Sequence, residues 1–177
     1  ESILRRTAYL VLLNENPQAL KQLVRLCDAS PWIAQSITEA PILLDELLHP
    51  AHLYNPSDQS AMKEDLNLRL LRIEEDDLEE QMDALRHFAL AQKLQIAACE
   101  ITNILPLMKV SDHLTWLAQT LLEKSLWLAW QQMVAKHGYP SDAQGEAVLS
   151  PEFLILGYGK LGGIELSYGS DLDMVFL

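Results

Sequence analysis

The chain has 177 residues, enough for one domain or one and a half, and 49% of them are apolar, so a sizeable core is within reach. A formal net charge of −12 argues against broad binding to phosphate backbones, although a local site with metal ions still allows a nucleotide. No basic-then-apolar leader is visible, no apolar run is long enough to span a bilayer, and the first residue is Glu1; the expectation is a piece of a longer cytoplasmic protein.

Almost everything before Tyr139 reads as helix. Ser2 is placed to cap a first helix through Leu13, and Asn16-Pro17 restarts the chain. From Pro17 to about Cys27, Leu20, Leu23, Val24 and Cys27 recur at helical spacing and predict one buried face. Ser30-Pro31 is a cap followed by proline at the first helical position, opening a short helix that ends near Glu39. Pro41 opens another over ILLDELL, which Pro50 stops. NPSDQS is a loop, with Ser57 or Asp58 capping a helix to about Arg72. The acidic stretch EEDDLEEQMD reads as solvated carboxylates at a helix start, facing the positive end of the dipole.

Asp77 to about Ile104 predicts one long helix that ends before Pro106. Ser111 is placed to cap a second, carrying Leu114, Leu117 and Leu121 on one face. Trp116, Trp127 and Trp130 ride on that helix and are expected in the core. Cys27 and Cys99 lie far apart without a CxxC or Cys–His pattern, and read as reduced interior thiols. No HExxH pattern joins the five histidines, and Pro50 interrupts any helix linking His49 to His52; all five read as structural or solvated.

The texture changes at HGYPSDAQGEA. Gly138 and Pro140 end the helix, and the residues around Gly145 read as a linker over 141–147. Residues 1–140 then form a helical domain, and an α/β part begins at 148. FLILGYG predicts a buried strand centred on Phe153 to Leu156, and DLDMVFL a second strand.

Five of the chain's seven glycines lie between Gly157 and Leu177. Gly157, Gly159 and Gly162 fit the dinucleotide fingerprint GxGxxG after a strand. That fold needs a full crossover helix before the next strand, and Gly162 to Ser170 is too short for one. The P-loop pattern fails, because Lys160 precedes Gly162 and Gly163 and no Ser or Thr follows the lysine. A third reading joins the glycines to Asp171 and Asp173. Two carboxylates two apart on a strand project from one face, within about 7 Å. Such a pair bridges hard divalent cations, which can clamp the oxygens of a phosphoryl or nucleotidyl transfer. Lys160 adds a point charge, and the glycine loop offers backbone N–H groups to phosphate. A tight turn and strand with no ligand is the plain structural alternative.

The stretch GYGKLGGIELSYGSDLDMVFL resembles the nucleotidyltransferase signature of the bifunctional glutamine synthetase adenylyltransferase/adenylyl-removing enzymes, GKLGGxEL followed by SDxD on the next strand. Gly159 to Leu166 and Ser170 to Asp173 match it in full. SPWIAQSITEAPILLDELL and LPLMKVSDHLTWLA also look like this family, so the resemblance spans nearly the whole chain.

The resemblance implies a mainly α chain, a multi-helix segment leading into the first strands of a polymerase-β-like α/β nucleotidyltransferase domain, cut before its third carboxylate. It implies transfer of AMP from ATP to a tyrosine of glutamine synthetase with Mg²⁺. Asp171 and Asp173 would be the catalytic metal ligands, and Gly159, Lys160, Gly162, Gly163 and Ser170 would shape or contact the triphosphate pocket. Glu165 matches the signature as a possible brace. Both catalytic halves of the family carry the motif; the upstream helices look like those before the second, adenylylating half, with the adenylyl-removing half and a non-catalytic helical interaction segment as alternatives. The implied partners are glutamine synthetase, a nitrogen-regulatory signalling protein and glutamine as effector. No transferase activity is expected of these residues alone.

Overall fold

Prolines and short polar caps decide where the helices of this chain begin. In the computed structural model, which describes residues 7–151 and 153–177, Pro17 opens α2 (Pro17–Ala29) after α1 (Thr7–Glu15). The Ser2 cap expected ahead of α1 lies outside the described residues. Pro31 opens α3 (Pro31–Glu39), where the Ser30 hydroxyl accepts from the Ile33 N–H at 3.4 Å. Proline suits these positions because its fixed φ is already helical and its missing N–H would have had no partner. Pro41–Leu48 follows as a 3₁₀ segment rather than the regular helix expected, and α4 is the single turn Pro50–Leu53.

Asp58 caps α5 (Gln59–Leu70) through the Ala61 N–H at 2.8 Å, and Asp77 caps α6 (Leu78–Ile101) through the Glu80 N–H at 2.9 Å. The acidic stretch therefore splits. Its first residues form a turn, and Glu79 and Glu80 stand in the first turn of α6, where negative charge complements the dipole. Asn103, in the left-handed region at φ 59°, ends α6, and α7 (Leu107–His137) starts directly after Pro106. Ser111 is thus inside the first turns of α7 and does not cap it; the proline had already fixed the start.

The chain divides into two compact units. One contains the residues up to Ser57 together with Arg86–Val110. Its interior holds Leu26, Ile33, Ile37, Leu44, Leu47, Leu53, Phe88, Leu94 and Ile96. Gln95 ties α6 to the turn after α4, donating to the carbonyls of His52 at 2.7 Å and Asn55 at 2.9 Å. The Cys99 thiol, fully buried, meets the Leu53 carbonyl at 3.5 Å. The α2 face differs from the one expected. Ala19 and Leu26 are buried, while Leu20 is 43% and Val24 60% exposed. Both sets fit a helical period, and the neighbouring α1, α3 and 3₁₀ segment select between them.

The other unit contains Asp58–Leu85 and Ser111–Leu177. Met62 and Leu66 of α5 and Leu114 and Leu117 of α7 are buried, and Lys63 pairs with Glu123 across these two helices at 2.7 Å. Trp116 and Trp130 are half-buried, but Trp127 is 43% exposed and is no core residue. Beyond His137 the chain turns at Gly138 (φ +76°). Residues 141–147 close on themselves through a Ser141–Ala147 bridge, with Asp142 accepting from the Gln144 and Glu146 N–H groups.

The unit ends in β1 (Ile155–Gly157), the short helix α8 (Gly159–Gly162) and β2 (Met174–Phe176). The strands pair antiparallel, with Ile155 opposite Phe176, Leu156 opposite Val175 and Gly157 opposite Met174. Hydrogen bonds extend this ladder to Leu154–Leu177 at one end and Tyr158–Asp173 at the other. The mainly helical architecture with a small sheet near its end is the one expected. The strands themselves are half-buried or exposed rather than buried, with Phe153 stacked on Phe176 at 5.9 Å. Among the described residues, no helix is long and apolar enough to cross a membrane.

Candidate active site

An antiparallel hairpin-like pairing settles one of the sequence alternatives. A dinucleotide fingerprint requires a parallel strand reached by a crossover helix. Here the four-residue α8 and a short turn return the chain antiparallel to β1. The glycines of GxGxxG answer to local packing instead. A Cβ on Gly157 would lie 2.9 Å from Leu161 Cγ, and one on Gly162 would lie 2.6 Å from the Gly157 carbonyl oxygen. Leu161 is buried, so α8 folds back onto the end of β1 through these close approaches.

Gly159 has a different neighbour. Its backbone is left-handed at φ +53°, and a Cβ there would lie 2.5 Å from Asp173 Oδ2. The structure thus brings together the first glycine of GKLGG and the last carboxylate of SDxD. The Tyr158 N–H donates to the Asp173 carbonyl at 2.8 Å, so Asp173 occupies the last rung of the ladder. Asp171 stands two residues outside it. Both aspartates are exposed.

The amides of Gly162 and Gly163 are spent inside α8. They donate to the carbonyls of Tyr158 at 3.1 Å and Gly159 at 2.9 Å. Direct phosphate contact by those two N–H groups, one form of the expected role, does not fit this arrangement; shaping the turn does. Lys160 is exposed on α8, and its carbonyl accepts from the Glu165 N–H at 2.8 Å. Ile164, a β-branched residue, sits in the left-handed region at φ 58° where α8 ends, a strained placement.

Ser170 is held by a residue that sequence reasoning passed over. Its hydroxyl accepts from the Ser167 N–H at 3.0 Å and lies 2.8 Å from the Ser167 hydroxyl. The Ser170 N–H donates to the Ser167 carbonyl at 3.1 Å. SYGS is therefore a closed turn that delivers Asp171. The signal was available, since serine, glycine and serine at that spacing favour a hydroxyl-braced turn.

The donor set fits a hard cation in part. No group of three or more His, Cys, Asp or Glu converges among the described residues. Asp171 and Asp173 offer two carboxylates, and Mg²⁺ is commonly held by one or two carboxylates completed by substrate phosphates and water.

Fold and site together define a class: a helical segment leading into a glycine-braced turn that abuts an acidic strand end. The chain belongs to the glutamate-ammonia ligase adenylyltransferase family, whose model matches residues 20–177. It is 58% identical over its whole length to a bifunctional glutamine synthetase adenylyltransferase/adenylyl-removing enzyme of Pseudomonas syringae pv. tomato. It is 56% identical to the protein of that name from Pseudomonas putida and 54% to that from Shewanella oneidensis, again over all 177 residues. The chain spans 18% of the length of each of these curated relatives.

Proposed function

We propose that the chain is the helical approach to, and the first strand pair of, the adenylylating half of a cytoplasmic bifunctional enzyme acting on glutamine synthetase. In sequence order, residues 1–140 would be the helical approach, which the two compact units share between them, 141–147 the connecting turn, and 148–177 the start of a polymerase-β-like nucleotidyltransferase domain. One observation carries this reading: the whole chain aligns at 58% identity with a protein named for adenylyl transfer to glutamine synthetase and its removal. The meeting of Gly159 with Asp173 supports it from geometry.

In the reaction, a tyrosine oxygen of glutamine synthetase attacks the α-phosphorus of ATP. The new oxygen–phosphorus bond forms as the bond to pyrophosphate breaks, and the phenolic proton passes to solvent or a base. Mg²⁺ held by Asp171 and Asp173 with phosphate oxygens would neutralise charge on the transferring group. Asp173 contributes a carboxylate from a residue whose backbone is held at the end of the ladder, and Asp171 a second delivered by the Ser167–Ser170 turn. Lys160 places an ammonium beside the turn as a point charge for phosphate. Gly162 and Gly163 would serve by keeping the α8 backbone tight against the end of β1. Catalysis is then mainly positioning and charge neutralisation.

The helical domain is the candidate surface for a nitrogen-regulatory signalling protein, with glutamine as effector. Titrating Mg-ATP into the full-length protein tests the nucleotide reading. Binding that the Asp171→Asn/Asp173→Asn double variant weakens is expected. Equal binding by wild type and double variant would instead favour a helical scaffold ending in a plain turn and strand.

A further inference from the structure

Gly159 is the residue of the glycine-rich turn whose missing side chain would crowd an acidic group; a Cβ on Gly163 would lie 3.7 Å from Glu165 Cδ, an ordinary contact. The distances from its would-be Cβ shrink along Asp173, from 3.8 Å at Cβ to 3.4 Å at Cγ and 2.5 Å at Oδ2. An added methyl group would therefore strike the tip of the carboxylate, not its stem. The Asp173 backbone cannot retreat freely, because its carbonyl accepts from the Tyr158 N–H at 2.8 Å, next to Gly159 itself. The remaining escape is rotation of the Asp173 side chain, which carries the carboxylate elsewhere.

We propose that Gly159 is a positioning residue for Asp173: its bare Cα and left-handed backbone form the seat in which that carboxylate rests. The proposal rests on Asp173 acting as a metal ligand in adenylyl transfer, and it divides the labour of the pair. Asp173 is seated in advance by β1 and α8. Asp171, beyond the ladder and exposed, is brought in by the serine turn. Backbone conformation alone would also call for glycine at φ +53°, and the chain holds its own control for that effect. Gly138 has φ +76° and nothing within 4 Å of its would-be Cβ.

The test is a double-variant cycle in the full-length protein, read by hydrogen exchange of the Tyr158 amide. Gly159→Ala is expected to speed that exchange about tenfold in the wild-type background. Asp173→Ala removes Cγ and Oδ2 and leaves only an ordinary 3.8 Å contact, so there Gly159→Ala should add about threefold or less. Gly159→Asn, which tolerates the left-handed region but keeps a Cβ, separates crowding from strain. It should weaken Mn²⁺ binding at the Asp173-dependent site about tenfold or more, read by electron paramagnetic resonance, while Gly138→Ala leaves it unchanged. Equal effects of Gly159→Ala in both backgrounds, or Mn²⁺ binding by Gly159→Asn like wild type, would overturn the proposal. Asp173→Asn that keeps full Mn²⁺ binding would instead remove the metal-ligand reading, and the exchange coupling between 159 and 173 would survive it.

Discussion

The backbone of Gly157 and the Cα of Gly162 approach so closely that a Cβ on Gly162 would stand 2.6 Å from the Gly157 carbonyl oxygen. A backbone atom cannot swing aside as a side-chain tip does. Gly162→Ala should therefore force α8 off the end of β1, at about 1–3 kcal/mol of local stability. Gly169→Ala is the contrast, with nothing within 4 Å and no left-handed backbone. It should stay within about 0.5 kcal/mol of wild type. Hydrogen exchange across residues 154–166 reads the difference, and equal exchange in both variants would contradict the packing described.

Ser170→Ala removes the acceptor for the Ser167 N–H, whereas Ser167→Ala keeps that N–H and loses only a hydroxyl contact. The first should loosen the turn by about 1 kcal/mol and the second by less. If the turn delivers Asp171, AMP transfer by the full-length protein should fall more in Ser170→Ala. The reverse order would mean that the Ser167 hydroxyl matters for some other reason.

Burial pushes the Cys99 thiol up to about 11, and it pushes Cys27 up as well. The folded state therefore keeps the Cys99 proton longer than the unfolded chain does. Its stabilising effect is full below the ordinary thiol value of 9.0 and is lost as pH rises toward about 11. Alkylation at pH 8, followed by peptide mass spectrometry, should modify Cys99 about 100-fold more slowly than an exposed thiol. Rapid labelling of Cys99 in the native protein would contradict its placement against Leu53.

The 177 residues by themselves should show no transfer of AMP. A two-stranded sheet is marginal alone, and two carboxylates with a short turn are a small part of a transferase site. Metal-dependent transfer by the isolated segment would refute this.

The sequence made the helix starts legible because prolines and capping residues act locally: Pro17, Ser30-Pro31, Asp58 and Asp77 all stand where chemistry places them. Faces were less legible. Leu20 and Val24 fit a helical stripe as well as Ala19 and Leu26 do, and the choice is made by how the adjoining helices fold back on α2, which periodicity within α2 does not encode. Trp127 failed for the same reason, since a tryptophan at core spacing is buried only if something covers it. Ser111 misled because a serine four residues into a helix looks like a cap until Pro106 is weighed. At the candidate site, spacing pointed to Asp173 and Gly159 separately. Their contact needed the antiparallel register, which pairs Tyr158 with Asp173 and was not written in either motif alone.

The most direct measurement is transfer of labelled AMP from ATP to glutamine synthetase by the full-length protein carrying Asp171→Asn or Asp173→Asn, with adenylyl removal assayed alongside. Each variant should lose about 100-fold or more of transfer while keeping removal and overall fold. Undiminished transfer by either variant, or a loss confined to adenylyl removal, would contradict the assignment of these carboxylates to the adenylylating half.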